Sequence, residues 1–239
     1  LLSHAHSSGS TWLDRAHEHG AVILRSADAP DASAEGFSRL CAALDLTPFD
    51  ASESAAPRTR VATHAWTANE APPNAIVPFH HEMGQCRTAP RYVLFFCQTA
   101  PYAWGCTPLV RSSDVARAVR ERFPDAAAEL DERGIRYRRT LPRIKDSESP
   151  IGRGWTDAFG TTDHLAVERA LRRHGLEGTW LPGDDLRTET QSRRVFAHAP
   201  DGDREEVFLN SAVAALEGWQ DARNRPGDAV VFGDTREPL

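Results

Sequence analysis

The stretch IVPFHHEMGQ, residues 76–85, places two adjacent histidines directly before a glutamate. Side chains alternate along an extended chain, so residues 80 and 82 face one way and residue 81 the other. His80 and Glu82 can then grip one cation from the same side, and a third ligand from elsewhere would complete a two-histidine, one-carboxylate face. That face suits non-haem iron(II) and leaves coordination positions open. Helical zinc motifs space their histidines at i and i+4, which this stretch does not do. Taken alone, H-x-E is short. A solvated or structural histidine pair, and a histidine general base, remain open readings of it.

The rest of the chain bounds the answer. Its 239 residues suit one large domain or two small ones. With 40% hydrophobic and 26% charged residues the composition is that of a globular protein able to bury a core. A formal net charge of −6 argues against nucleic acid or an anionic membrane as partner. No run approaches the roughly 20 apolar residues of a membrane span. The start, LLSHAHSSGSTW, lacks the basic-then-apolar order of a secretory signal. The four cysteines (Cys41, Cys86, Cys97, Cys106) form no C-x-x-C pair and read as reduced thiols of a cytoplasmic protein. Oligomeric state is not readable.

Local signals predict many short strands with helices packed outside. TWLDRAHEHG reads as a helix from a Thr11 cap to Gly20, and AVILR (21–25) as a buried strand. SAEGFSRLCAALDL (33–46) carries helical spacing. Residues 47–60 read as loop, and Pro72-Pro73 as a turn. RYVLFFCQ (91–98) has the strongest buried-strand composition, and TPLVRSS (107–113) reads as another strand. SDVARAVRERFPDAAAELDERG (113–134) is helical with a break at Pro124. IRYRRTL (135–141) alternates like a half-exposed strand. TTDHLAVERALRRHG is a capped helix ending at Gly175. VFAHAP, EEVFLN and DAVVFGD supply three more short strands. Together these predict a mainly β fold with flanking helices, as a sandwich or barrel.

In order along the chain, FHHEM, GCTPLV, SPIGRGW and GWQDARNRP, with the segments between them, resemble the clavaminate synthase-like and taurine dioxygenase-like (TauD/TfdA) iron(II), 2-oxoglutarate-dependent oxygenases. The resemblance runs from about residue 57 to the end. It implies a single oxygenase domain over 1–239: N-terminal elements at 1–56, then a double-stranded β-helix (jelly roll) core over 57–239 with a helical insert at about 112–180. It also implies that His80 and Glu82 are the first two iron ligands and that His81 points out of the site. Thr107 would help hold a 2-oxoglutarate carboxylate, and the bland alternative is a β-branched strand residue. Trp104 and Cys106 depart from the glycines of the family motif. Arg153 and Trp155 fall where the family closes a loop over substrate, Trp155 equally suiting a core plug. Asn210 falls at a pocket position, where a strand-end asparagine bonding turn backbone is the default. His198 occupies a position that does not bind iron in the family.

The family's distal iron histidine and its 2-oxoglutarate arginine belong to an H-[SGT]-R-x-P-[FL] stretch near the C-terminus. This chain has no histidine after His198 and ends FGDTREPL. The expectation is that the terminal jelly-roll strands are missing from it. The implied cofactors are Fe(II), 2-oxoglutarate and O2. The implied reaction is hydroxylation of an unactivated C–H bond of an amino acid or small acidic metabolite, with release of succinate and CO2. The family's halogenases replace the carboxylate ligand with a small residue, so Glu82 favours hydroxylation, although epoxidation, desaturation and ring closure use the same ligands. Two other classes stay open: a metal-free binding or scaffold relative, and a zinc hydrolase using His80, His81 and Glu82.

Overall fold

A computed structural model describes residues 2–25, 31–49, 58–68, 70, 72, 74–198 and 205–239. They fall into two compact units. Most of the loop expected over 47–60, at 50–57, lies outside the described residues, as does Pro73 of the expected turn, where the Ala75 N–H bonds the Pro72 carbonyl at 2.9 Å.

One unit comprises described residues up to 49, 58–68 and 92–109. Helix α1 spans Leu2–His19 and ends at Gly20, whose φ of +82° suits glycine. Thr11 therefore sits inside the helix rather than at its cap. Helix α2 spans Ala34–Ala43, and the Ser33 hydroxyl caps it by accepting from the Gly36 N–H at 3.1 Å. Strands β1 (Arg60–Ala62) and β2 (Ala65–Trp66) form a small hairpin. The His64 N–H ties the hairpin to α2 through the Ser38 hydroxyl at 3.0 Å.

Three expected strands do not form. Residues 21–25 and 91–98 have no ladder partner, and most of their side chains are exposed, Ile23 at 75% and Phe95 at 62%. Residues 107–111 are irregular, and Ser112 and Ser113 begin a helix instead. A strand exists only with a hydrogen-bonded neighbour, and among the described residues none lies beside these segments.

The other unit is built on a four-stranded antiparallel sheet in the order β4-β5-β3-β8: β3 Ile135–Leu141, β4 Leu176–Leu181, β5 Asp185–Thr190 and β8 Val230–Phe232. All ladders in the described residues are antiparallel, and helices flank the sheet. On β3, Ile135, Tyr137 and Leu141 are buried, while Arg136 and Arg138 are half-buried on the other face. There Arg138 meets Glu189, its partner across the ladder, at 2.8 Å. Helices α3 (Ser112–Arg122) and α4 (Pro124–Arg133) break at Phe123, because Pro124 has no N–H to continue α3 and instead opens α4. With α7 (Ala212–Gly218) they contribute Ala116, Ala127 and Ala215 to a core around Ile135, Tyr137 and Val230. Helix α6 (His164–His174), capped by Asp163 and closed by Gly175 at φ +70°, buries Val167 and Leu171 with Leu141 and Leu186 in a second core. Each fully buried aliphatic side chain contributes roughly 1.5–3 kcal/mol. A short hairpin of β6 (Ala197–His198) and β7 (Glu206–Val207) completes the unit. Among the described residues no helix is long and apolar enough to cross a membrane.

Trp155, at the start of helix α5 (Trp155–Phe159), is fully buried in the second core. Its indole N–H donates to the Asp184 carbonyl at 2.8 Å, and Trp180 meets it edge-on at 5.1 Å. Trp155→Phe keeps most of the packing but strands that carbonyl. It is expected to cost about 1–3 kcal/mol, read as a lowered urea midpoint at unchanged slope.

Candidate metal centre

His80 ends an extended, unpaired segment, and a turn begins at Glu82. The H-x-E triplet is thus not in a ladder, yet its two outer side chains still converge. His80 Nε2 stands 4.0 Å from Glu82 Oε2, with the side chains 36% and 23% exposed. That distance is too long for a hydrogen bond, so neither group spends its lone pair on the other. His80 Nδ1 lies 2.8 Å from the Pro78 carbonyl. A carbonyl only accepts, so Nδ1 carries the proton and the Nε2 lone pair is left facing Glu82. Metal-binding imidazoles need this tautomer, held by this kind of partner. One imidazole nitrogen and one carboxylate oxygen fit a divalent transition metal such as iron(II). Among the described residues no group of three or more His, Cys, Asp or Glu side chains could hold a metal ion.

His81 is used differently. Its Nε2 lies 2.7 Å from the Ser112 hydroxyl, which donates its own hydrogen to the Phe208 carbonyl at 3.2 Å, so His81 is the donor of this pair. Burial first, then the neighbouring His80, hold the His81 pKa below its ordinary value, consistent with a neutral ring. The Ser211 hydroxyl donates to the His81 carbonyl at 3.0 Å. His81 thereby anchors the segment to the starts of α3 and α7, while His80 and Glu82 stand beside it.

The turn closes through Gly84, whose N–H bonds the His81 carbonyl at 3.1 Å. A Cβ at Gly84 would lie 2.7 Å from Ser211 Oγ and 2.9 Å from the Asn210 carbonyl carbon. The hydroxyl can rotate away, but the backbone cannot. Gly84→Ala is expected to cost about 1–3 kcal/mol by overpacking and to lower the thermal midpoint.

The remaining candidates are placed as follows. Thr107 lies in the unit containing α1, exposed on the irregular segment 107–111. Arg153 is half-buried on a loop pinned by the Asp146 N–H to the Gly152 carbonyl at 2.7 Å. Trp155 is the core plug described above. Asn210 is buried, and both ends of its amide serve backbone: its oxygen accepts from the Ala212 N–H at 2.9 Å, and its nitrogen donates to the Val195 carbonyl at 3.3 Å. His198 is exposed on β6.

A polar knot joining the SPIGRGW and GWQDARNRP stretches escaped the sequence reading. Asp221 Oδ1 accepts from the Arg223 and Asn224 N–H groups at 2.8 and 2.9 Å and from Asn224 Nδ2 at 2.9 Å. Its Oδ2 accepts from the Ser149 hydroxyl at 2.7 Å and Arg223 at 3.0 Å. The signal was present in DARN, whose short acidic side chain three residues before an asparagine marks an Asx turn.

Two comparisons bear on this chain. The family described as taurine catabolism dioxygenase TauD, TfdA family matches residues 2–227. A clavaminate synthase-like protein of Arabidopsis thaliana is 38% identical over 219 residues, covering 91% of this chain and 65% of the relative. The chain thus spans less than two thirds of that relative's length. With a family match over nearly its whole length, the chain belongs to the TauD/TfdA dioxygenase family.

Proposed function

We propose that this protein is an iron(II)- and 2-oxoglutarate-dependent oxygenase that hydroxylates an unactivated C–H bond of an amino acid or small acidic metabolite, releasing succinate and CO2. The observation that carries the reading is the convergence of His80 Nε2 and Glu82 Oε2 in a chain of this family, with the Pro78 carbonyl selecting the required tautomer. When bound, iron with 2-oxoglutarate and O2 supplies the oxidising power that an aliphatic C–H bond demands and that no side chain provides. The protein's part is to present one neutral imidazole and one carboxylate on a segment that does not shift. His81, Ser112 and Ser211 supply that rigidity. In this reading Thr107 donates to a 2-oxoglutarate carboxylate, and Arg153 faces substrate. The jelly-roll core of this reading spans 57–239, and the third iron ligand and the 2-oxoglutarate arginine are parts of it to which no described residue is assigned.

The test is anaerobic titration of the full-length protein with iron(II) and 2-oxoglutarate. The expected result is a weak visible charge-transfer band, followed by oxygen-dependent succinate release with one member of an amino-acid panel. Full-length protein that binds iron but shows neither band nor succinate would overturn the assignment.

A further inference from the structure

The turn after Glu82, the 190–198 segment and the C-terminal end of α6 enclose a cleft of about 650 Å³. That size suits a small organic molecule. Its walls carry Arg87, Arg193 and Arg194 together with two carboxylates, Asp131 and Glu206. Both carboxylates are already held by one cation. Arg120 meets Glu206 at 2.7 and 3.0 Å and Asp131 at 2.6 Å, and its guanidinium lies over the Phe196 ring at 3.8 Å. Hydrogen bonds from Arg120 hold the Glu206 carboxyl below its ordinary value, so it stays ionised on that partner. Set against this triad, three further arginines give the described lining of the cleft an excess of positive charge, although the chain as a whole is acidic.

Arg193 is also preorganised. Arg193 exchanges two backbone hydrogen bonds with Ile135, at 2.9 and 2.8 Å, so its guanidinium is carried on the end of the central sheet. The same side chain donates to the Arg87 carbonyl at 3.2 Å, drawing the two cationic segments together. Leu176 and Leu209 give the cleft an apolar wall. The C-terminal end of α6 opposes an anion, but its last turn carries Arg172, Arg173 and His174.

The geometry points to this cleft as a binding site for an organic anion, its carboxylate or phosphate group held by Arg87, Arg193 and Arg194 and its apolar body against Leu176 and Leu209. Guanidinium forks pair with both oxyanion types in the same bidentate way, so the probe must tell them apart. The site stands on these residues alone and does not depend on the iron reading.

The test is calorimetric titration of metal-free protein at low salt with pyrophosphate and, separately, citrate. Saturable binding that weakens as salt rises is expected. The tighter probe identifies the group as phosphate or carboxylate. Arg87→Gln and Arg194→Gln should each weaken binding roughly tenfold, whereas Arg117→Gln, on the exposed face of α3, should leave it unchanged. Should a cleft variant fail to fold, phenylglyoxal labelling of the wild type decides the matter, because the bound probe should protect Arg87, Arg193 and Arg194 from modification. No saturation by either probe up to about 10 mM, a range that already includes weak sites, would overturn the proposal. So would binding that the cleft variants and the labelling both leave untouched.

Discussion

Asp221→Ala is expected to lower the unfolding free energy by about 3–5 kcal/mol, the cost of breaking a buried ionic cluster from one side. The reason lies in β3. Its neighbour β8 covers it only as far as Tyr137, after which the Arg138 N–H bonds the Ala229 carbonyl at 2.9 Å. Beyond that point the Thr140 backbone would lack a partner on this side. The Asn224 side chain takes its place, accepting from the Thr140 N–H at 2.7 Å and donating to the Thr140 carbonyl at 3.1 Å. Asp221 orients that amide and also collects Ser149 and Arg223. Its removal leaves the Arg223 N–H and the Ser149 hydroxyl without their acceptor and takes the support from the Asn224 amide, while Arg223 keeps only Asp146. Chemical denaturation of Asp221→Ala beside Asp114→Asn, on the exposed pair with Arg117, checks this. The surface variant should move by no more than about 0.5 kcal/mol, and equal effects would defeat the argument.

The same knot sets an acid limit. Burial pushes the Asp221 carboxyl up, but the Ser149 hydroxyl, the Asn224 amide and the Arg223 backbone N–H and guanidinium outweigh it and hold the pKa below its ordinary value. The hydrogen bond from Arg223 does the same for Asp146. A carboxyl lowered in the folded state contributes stability that is fully present above its unfolded pKa, near 3.9, and is lost as pH falls through the folded one. Wild-type stability should therefore fall as pH drops below about 4, and Asp221→Asn should flatten that part of the profile.

What the sequence made legible is what local physics decides. Helix α6 carried its whole specification within a few residues: Asp163 before it, apolar residues at helical spacing, and Gly175 after it. The break at Pro124 and the alternation of IRYRRTL were equally local. The β4–β5 hairpin went unread although Pro182-Gly183-Asp184 marks its turn, with Gly183 and Asp184 both at positive φ. Its strands look polar because Thr188, Glu189 and Thr190 are buried there, and Glu189 is tolerated because Arg136, Arg138 and Arg236 reach it. That compensation comes from residues far away in sequence. AVILR and RYVLFFCQ erred in the opposite direction, since their composition is that of buried strands while burial depends on what lies beside them. At the site, the H-x-E alternation set His80 and Glu82 apart from His81, but it could not name what holds His81. Ser112 and Phe208, which claim His81, stand 31 and 127 residues further along the chain.

His80→Ala and His81→Ala should therefore fail in opposite ways, although the residues are neighbours. His80 makes its one side-chain hydrogen bond to a carbonyl two residues back and is 36% exposed. Its removal is expected to change stability by less than about 1 kcal/mol, as surface substitutions do. On the iron reading, the same change deletes a ligand outright. Iron(II) affinity should then fall more than about a hundredfold, beyond what losing a merely supporting partner costs, and succinate release should vanish. His81→Ala removes the donor to Ser112 and loosens the segment from α3, while the Ser211 bond to the carbonyl of residue 81 is kept. It should cost about 1–3 kcal/mol of stability while retaining an iron site, since Nε2 of His80 and the Glu82 carboxylate are still present. Equilibrium dialysis of iron(II) against both variants, paired with thermal denaturation, separates the two roles. If His80→Ala bound iron as tightly as wild type, or if His81→Ala alone abolished binding, the pair formed by residues 80 and 82 would not be the metal-holding face.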